Sequence, residues 1–319
     1  MIIFFIREDL PMKKEKKLIV PNELSFGRWL AVLAATLGFY LVVFFVAEIV
    51  FPDLPKYIGA LGFEKKTASI LGLDVGTMLL FLSFIPAFVG FVLFLKVIGK
   101  TTLKEFILGV GGSLNKKSCL IVAGLFVLGF TISALTSISY IKLGNVEIGN
   151  YLFLIFFALV SVIFQISVEE FLCRGFFARW ICKNKLGYSK RAFIAAIISS
   201  LVFATAHAFN SEMSAQNNTL NTVLMFLAYA LSGFVYFLCN MHFGNLVPGL
   251  IIHWLNNFIL FTMFTYQSSA ITSSTIFIDT TPSSGALTLL SVFITHLPLV
   301  VYVIVDSIRR KKLAAKIEG

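Results

Sequence analysis

Three charged residues, Glu169, Glu170 and Arg174, lie within one of the most apolar stretches of the chain, from Tyr151 to Trp180. An ionised side chain at mid-bilayer depth costs about 2.5 to 3.5 kcal/mol, so three unpaired charges would oppose membrane insertion by about 7 to 10 kcal/mol. Glu170 and Arg174 are spaced i and i+4, acid before base, which is the favourable order for an ion pair on a helix. Glu169 points about 100° away from Glu170 around the helix and remains available for chemistry.

Histidine and asparagine side chains occur in two further apolar segments. His207 ends the run from Leu201 to Ala206, and His253 is followed four residues later by Asn257. The i, i+4 spacing places the imidazole of His253 and the carboxamide of Asn257 on one helix face. A single intramembrane histidine is often only a hydrogen bond between helices, and for His207 alone this structural role and a catalytic one have about equal weight. Together with the acids, these residues favour a functional site.

Three other polar residues of the apolar segments are expected to have structural roles. His242 and His296 have no polar neighbours at helical spacing. Asn256 points about 100° away from Asn257 on a helix.

The residue types at these positions suit the hydrolysis of an amide bond. A carboxylate in a low-dielectric site can take a proton from water near neutral pH, as a general base must. Imidazoles can bind a metal, orient the water or donate to a leaving amine, and an asparagine amide can hydrogen-bond a developing oxyanion. Two familiar hydrolase routes lack support, because the chain has neither a GxSxG elbow nor an HExxH helix.

The polar residues form three motifs in order along the chain. Glu169 to Arg174 reads EExxxR, Phe203 to His207 reads FxxxH, and His253 to Asn257 reads HxxxN. In this order, on separate membrane helices, the motifs resemble the CPBP family, the CAAX-protease and bacteriocin-processing intramembrane endopeptidases related to the eukaryotic CAAX prenyl protease 2. The resemblance covers positions 150 to 265, and the segments outside it are recognisable only as membrane spans.

The resemblance implies a role for each motif residue. Glu169 would activate the attacking water, and His207 would help to hold and polarise it. Glu170 and Arg174 would form a supporting pair. His253 and Asn257 would stabilise the oxyanion, with Phe203 packing the site.

A metal is an open question at this stage. The family is commonly called a metalloprotease family, yet a mechanism with glutamate and histidine around a water needs no ion. Glu169, His207 and His253 could supply three zinc ligands and leave a fourth position for water.

Composition predicts an all-α polytopic membrane protein. Of 319 residues, 58% are hydrophobic and 13% are charged, so a soluble fold could not bury the apolar surface. We predict about eight transmembrane helices, with the catalytic core on the helices around 151–266. The predicted spans are 29–51, 73–97, 119–140, 151–175, 192–209, 220–240, 246–266 and 286–306.

The distribution of basic residues predicts the orientation. Lys and Arg cluster before the first span, between spans two and three, between spans four and five, and after the last span. By the positive-inside rule, both termini are cytoplasmic in a multi-pass protein of the cell membrane. The net charge of +10 is therefore a topology signal, and basic residues dispersed among short loops argue against nucleic-acid binding.

We divide the chain into a cytoplasmic segment (1–28), N-terminal transmembrane helices (29–140), a catalytic transmembrane core (150–266), and a last helix with a basic cytoplasmic tail (286–319). The segment from Tyr266 to Ser284 is predicted to be an exposed external loop. The predicted boundaries spread the candidate side chains over about 15 Å along the membrane normal. Helix tilt, a fourth span that extends to Ile181, or a fifth span that starts nearer Phe193 would bring them together.

The leading hypothesis is an endopeptidase that cuts a membrane-associated peptide or protein, with the lipid bilayer as its other partner. One alternative is a proton-coupled transporter, since intramembrane carboxylates and histidines also form proton relays, although no internal repeat is apparent. A second alternative is a non-catalytic bacteriocin-immunity or partner-binding membrane protein that keeps the fold.

Overall fold

The structure is a computed structural model that describes residues 26–51, 69–71, 73–109, 112–177, 180–181, 190–216, 218–266 and 275–318. Its principal elements are helices. In chain order they are α1 Phe26–Val50, α2 Val75–Val97, α3 Leu103–Leu108, α4 Lys116–Thr136, α5 Ile148–Glu170, α6 Lys190–Ala206, α7 Ser211–Ser214, α8 Thr219–Phe243, α9 Val247–Thr262 and α10 Gly285–Glu318. One π-helical segment, Phe171–Phe177, continues α5 without a break.

The helices confirm an all-α polytopic membrane fold, with two spans shorter than predicted. By length and composition, six of the described helical segments could cross a membrane. Of the eight predicted spans, the fifth and seventh correspond to α6 and α9, which have 17 and 16 residues. At 1.5 Å per residue these helices are about 25 Å long, which is less than the roughly 30 Å of a hydrocarbon core.

The fourth span is longer than predicted. Helix α5 and its π-helical continuation together form a segment of 30 residues, Ile148–Phe177. Glu170 therefore lies seven residues before the end of this segment, and His253 lies six residues after the start of α9. The similar distance from the two helix ends explains how the acids of α5 reach the depth of His253.

The short helix α3 docks on the end of the bundle where the π-helical segment ends and α9 begins. Thr102 caps it in a reciprocal capping box with Glu105. The Thr102 backbone N–H, and then its hydroxyl, hydrogen-bond the Glu105 carboxylate and lower its pKa. Phe106 is buried against Gly175, where a Cβ would overlap the ring, and the Ile107 carbonyl accepts the Leu246 N–H at 3.0 Å.

The opposite end of the bundle has a small sheet that the sequence did not predict. Strand β3, Ile141–Leu143, pairs antiparallel with β5, Phe277–Asp279, and β5 pairs in parallel with β4, Phe264–Tyr266. Part of the predicted loop from Tyr266 to Ser284 is thus a strand, held by side-chain packing such as the 4.9 Å contact between the rings of Phe264 and Phe277. Positions 267–274 of that loop lie outside the described residues. A two-residue pair, β1 Ser69–Ile70 with β2 Leu73–Asp74, precedes α2.

Candidate active site

The end of α5 holds a fully buried ion pair. Arg174 Nη1 donates to Glu170 Oε1 at 2.8 Å, and both side chains have 0% exposure. The guanidinium lies 4.3 Å from the ring centroid of Phe203 and 5.4 Å from that of Tyr236, a cation–π arrangement that stabilises a desolvated charge. Gly233 on α8 leaves room for it, because a Cβ there would lie 2.7 Å from Arg174 Nη2.

The π-helical segment is anchored to α6. Ser199 on α6 is fully buried, and its hydroxyl donates to the Cys173 carbonyl at 2.8 Å. π-Helical turns often occur at functional sites, and this one carries Arg174 of the EExxxR motif. The bond therefore fixes the motif helix to the helix that precedes His207.

His253 lies between the two glutamates and joins α9 to α5. Its Nδ1 donates to Glu170 Oε1 at 3.0 Å, and its Nε2 lies 3.4 Å from Glu169 Oε2. The imidazole is 2% exposed and stacks on the ring of Tyr236, with a centroid distance of 5.1 Å. The predicted spread in depth between these residues is therefore absent, since the acids and the histidine are in direct contact.

The first turn of α9 is held in place by α8. The buried Asn240 accepts the Gly249 N–H at 2.7 Å. A Cβ at Gly249 would lie 2.7 Å from Asn240 Nδ2 and 3.0 Å from Glu170 Oε2. Only a glycine allows α9 to approach the acid this closely, and this approach sets the position of His253.

A chain of side-chain amides leads to Glu169. Asn256 Nδ2 donates to Asn257 Oδ1 at 3.1 Å, and Asn257 Nδ2 donates to Gln165 Oε1 at 3.4 Å. Gln165 Nε2 then donates to Glu169 Oε1 at 3.1 Å. Although Asn256 and Asn257 start about 100° apart around the helix, the Asn256 side chain reaches along the helix surface to its neighbour.

His207 lies outside the helix that was predicted to contain it. Helix α6 ends at Ala206, and His207 begins the following turn, with its Nδ1 donating to the Phe203 carbonyl at 2.8 Å. Its ring stacks on Tyr229 at 4.6 Å. The ring of Phe203 contacts both histidines, with centroid distances of 4.4 Å to His207 and 5.4 Å to His253. Phe203 thus packs against both histidines of the candidate site.

The three residues considered as zinc ligands do not form a ligand set. Among the residues that the structure describes, no group of three or more His, Cys, Asp or Glu side chains is close enough to hold a metal ion. Glu169 Oε2 faces His253 Nε2 at 3.4 Å, whereas the described contacts of His207 are with Phe203 and Tyr229. The donor set therefore does not fit a zinc ion held by Glu169, His207 and His253.

Sequence reasoning missed several residues around the site, among them Gln165, Asn240 and Tyr236. Gln165 was identifiable as a polar residue four positions before Glu169, on the same helix face. Asn240 and Tyr236 lie on α8, which carries none of the three motifs, and only the tertiary packing reveals their contacts.

The Glu169 carboxylate is hydrogen-bonded through one oxygen, and its other oxygen faces His253. Glu169 is 18% exposed, and across the described part of the chain no hydrogen-bond partner is found for its Oε2. A carboxylate held by one oxygen, beside an imidazole and a carboxamide, has the elements needed to activate water and to stabilise an oxyanion.

Comparison with known proteins agrees with the motif resemblance. Neither the curated proteins nor the solved structures include a match to this chain. Residues 151–259 match the family model described as type II CAAX prenyl endopeptidase Rce1-like, which spans about a third of the chain and contains all six candidate site residues. This match confirms the resemblance to the CPBP family and identifies residues 151–259 as an Rce1-like segment of a multi-pass membrane protein.

Proposed function

We propose that the protein is an intramembrane endopeptidase that hydrolyses a peptide bond of a membrane-associated protein or peptide, with water activated by Glu169. The family match supports a protease of the CAAX type. The observation that carries the proposal is the asymmetry of Glu169: Gln165 binds its Oε1, whereas its Oε2 faces His253 Nε2 at 3.4 Å.

In the proposed reaction, Glu169 Oε2 takes a proton from water and the resulting hydroxide attacks the scissile carbonyl carbon. Asn257 and a protonated His253 stabilise the oxyanion, because Asn257 keeps one amide hydrogen that its bond to Gln165 does not use. When the carbon–nitrogen bond breaks, Glu169 returns the proton to the departing amine. His207 helps to hold and polarise the water.

Glu170 and Arg174 act on His253 in this scheme. The hydrogen bond from His253 Nδ1 to Glu170 fixes the orientation of the imidazole. Arg174 neutralises Glu170, so that one buried carboxylate supports the histidine without an unpaired charge.

The site is proposed to open toward the cytoplasm. The start of α9 contacts α3, which follows Lys96 and Lys100, and the end of α8 contacts the basic end of α10. The glutamates and His253 are thus near the end of the bundle where basic residues concentrate. By the positive-inside rule this end faces the cytoplasm.

Replacement of Glu169 tests the proposal most directly. We expect Glu169→Ala to abolish cleavage and leave the protein folded and inserted, because the removed side chain is partly exposed and lies outside the buried ion pair. Membrane peptidomes of cells with the native protein and with the variant would be compared, and a product found only with the native protein identifies the substrate.

Glu147→Ala is the matched control. Glu147 precedes α5 at its other end and binds only the nearby Asn150 among the contacts described for its side chain. Its replacement should leave the peptidome unchanged. Full proteolytic activity in Glu169→Ala would contradict the proposed function.

A further inference from the structure

Gln165 connects the two polar helices of the site. It lies one helical turn before Glu169 on α5, and its amide binds Glu169 on the same helix and Asn257 on α9. We propose that Gln165 is a positioning residue that orients both the general base and the oxyanion amide. This inference rests on the proposed function, because Glu169 and Asn257 have their catalytic roles only in that reaction.

The direction of the hydrogen bonds supports this role. A glutamine amide has a donor end and an acceptor end, and here the donor end faces Glu169 and the acceptor end faces Asn257. Each amide in the series from Asn256 donates to the next oxygen, and the series ends on a carboxylate. Such a series polarises in one direction, with its donor end on the Glu169 carboxylate.

The bond to Glu169 also selects which oxygen can react. With Oε1 engaged by Gln165, the carboxylate plane is fixed and Oε2 faces His253. Without Gln165, the carboxylate could rotate about its terminal torsion, which is broad and roughly two-fold. The plane of the carboxylate would then vary, and the alignment of its oxygens with His253 would be less well defined.

The bond to Asn257 fixes the second partner. Asn256 occupies Asn257 Oδ1, and Gln165 accepts one of the two hydrogens on Asn257 Nδ2. The remaining hydrogen is held in a defined direction on the face shared with His253. At 3.4 Å the Asn257–Gln165 bond is long, as is common for site contacts before substrate binds.

Carbodiimide labelling tests the effect of Gln165 on Glu169 independently of any substrate. Dicyclohexylcarbodiimide dissolves in lipid and reacts with protonated carboxyl groups, and mass spectrometry locates the modified glutamate. In Gln165→Met, which keeps the size and removes both hydrogen bonds, we expect Glu169 to be labelled about tenfold faster than in the native protein. Gln216→Met is the matched control, because Gln216 binds Glu212 and Ser283 outside the site.

The second measurement is cleavage of an internally quenched, farnesylated CAAX-type peptide by the protein in phospholipid vesicles. We expect Gln165→Met to lower kcat about 10- to 100-fold and to change KM less than about twofold, as loss of an interaction that aligns reacting groups would do. A glutamine that only joins the helices would alter thermal stability and leave both Glu169 labelling and kcat near native values.

The labelling result decides the inference, and the cleavage result separates it from the proposed function. Labelling of Glu169 within about twofold of native would overturn the positioning role, whatever the kcat. Faster labelling in Gln165→Met supports it even if the native protein cleaves no peptide, an outcome that would count against the endopeptidase alone. If Gln165→Met unfolded, Glu170 would be labelled faster as well. Labelling of Glu170 at the same rate as Glu169 would therefore also overturn the inference.

Discussion

Two clusters in this protein consist of a histidine, a carboxylate and an arginine. In the candidate site, Glu170 at the end of α5 and Arg174 in its π-helical continuation are four residues apart, and His253 joins Glu170 from α9. In the second cluster, Asp306 and Arg310 are four residues apart on α10, and His242 joins them from α8. The distances are similar: 2.8 and 3.0 Å in the first cluster, 2.7 and 2.9 Å in the second.

The clusters differ in burial and in what else the histidine faces. Glu170 and Arg174 are fully buried, whereas Asp306 is 19% and Arg310 is 53% exposed. His253 faces a second carboxylate, Glu169, at 3.4 Å, but the other ring nitrogen of His242 faces the Ser307 hydroxyl at 3.4 Å.

A histidine, an acid and an arginine therefore link two helices in both clusters. The candidate site has two features besides these three residues: a second carboxylate, Glu169, and the amides that orient it. We attribute the chemistry of the site to these additional groups. Variants made in parallel at both clusters test this interpretation.

The largest difference is expected from the arginines. Arg174→Met leaves Glu170 buried without its ion partner, which should lower the free energy of unfolding by about 3 to 5 kcal/mol. Arg310→Met breaks an exposed pair and should cost about 0 to 1 kcal/mol. Thermal unfolding in detergent would measure both variants. Equal losses would show that burial does not distinguish the clusters.

The histidines should differ in activity more than in stability. His253→Gln removes the imidazole beside Glu169 and should lower kcat by about 10² to 10⁴, the usual contribution of such a group. His242→Gln should leave kcat unchanged, because no member of its cluster contacts the motif residues in the contacts described. Cleavage of the same vesicle-bound peptide measures both, and a comparable loss in His242→Gln would refute the separation of roles.

The comparison also shows how far the sequence could predict the site. The i, i+4 pair of Glu170 and Arg174 and the shared face of His253 and Asn257 follow from helix geometry, and the structure has both. The partners of His242 could not be predicted, because Asp306 is 64 residues away on another helix. The end of α6 before His207 was also missed, since the apolar run continues the helical pattern up to that residue.

Most of the fold followed from composition, and its exceptions depend on contacts between distant parts of the chain. Long apolar runs predict membrane helices because of their length, so the six long spans were predictable. The three-stranded sheet requires β3 to pair with β5 more than a hundred residues later, such as Ile141 with Asp279, and no local pattern contains this pairing. Likewise, the π-helical segment after Glu170 is held by contacts with α3 and α6, which lie elsewhere in the sequence.

The smallest expected effect concerns the space that the buried arginine needs. In Gly233→Ala, the new methyl group would lie 2.7 Å from Arg174 Nη2 and 3.2 Å from Phe203 Cδ1, so the guanidinium must shift. Overpacking of this kind costs about 1 to 3 kcal/mol of unfolding free energy. Activity should fall as well, because Arg174 holds Glu170, and Glu170 orients His253.

Gly124→Ala on α4 is the matched control for this prediction. A Cβ at Gly124 meets no atom within 4 Å, and an alanine within a helix is favoured over glycine by about 0.5 to 1 kcal/mol. Gly124→Ala should therefore be neutral or slightly stabilising in the same unfolding measurement. If Gly233→Ala is as stable as Gly124→Ala and keeps native activity, the side chain of Arg174 can shift without disturbing Glu170 and His253. The buried cluster would then be no more rigid than the exposed one.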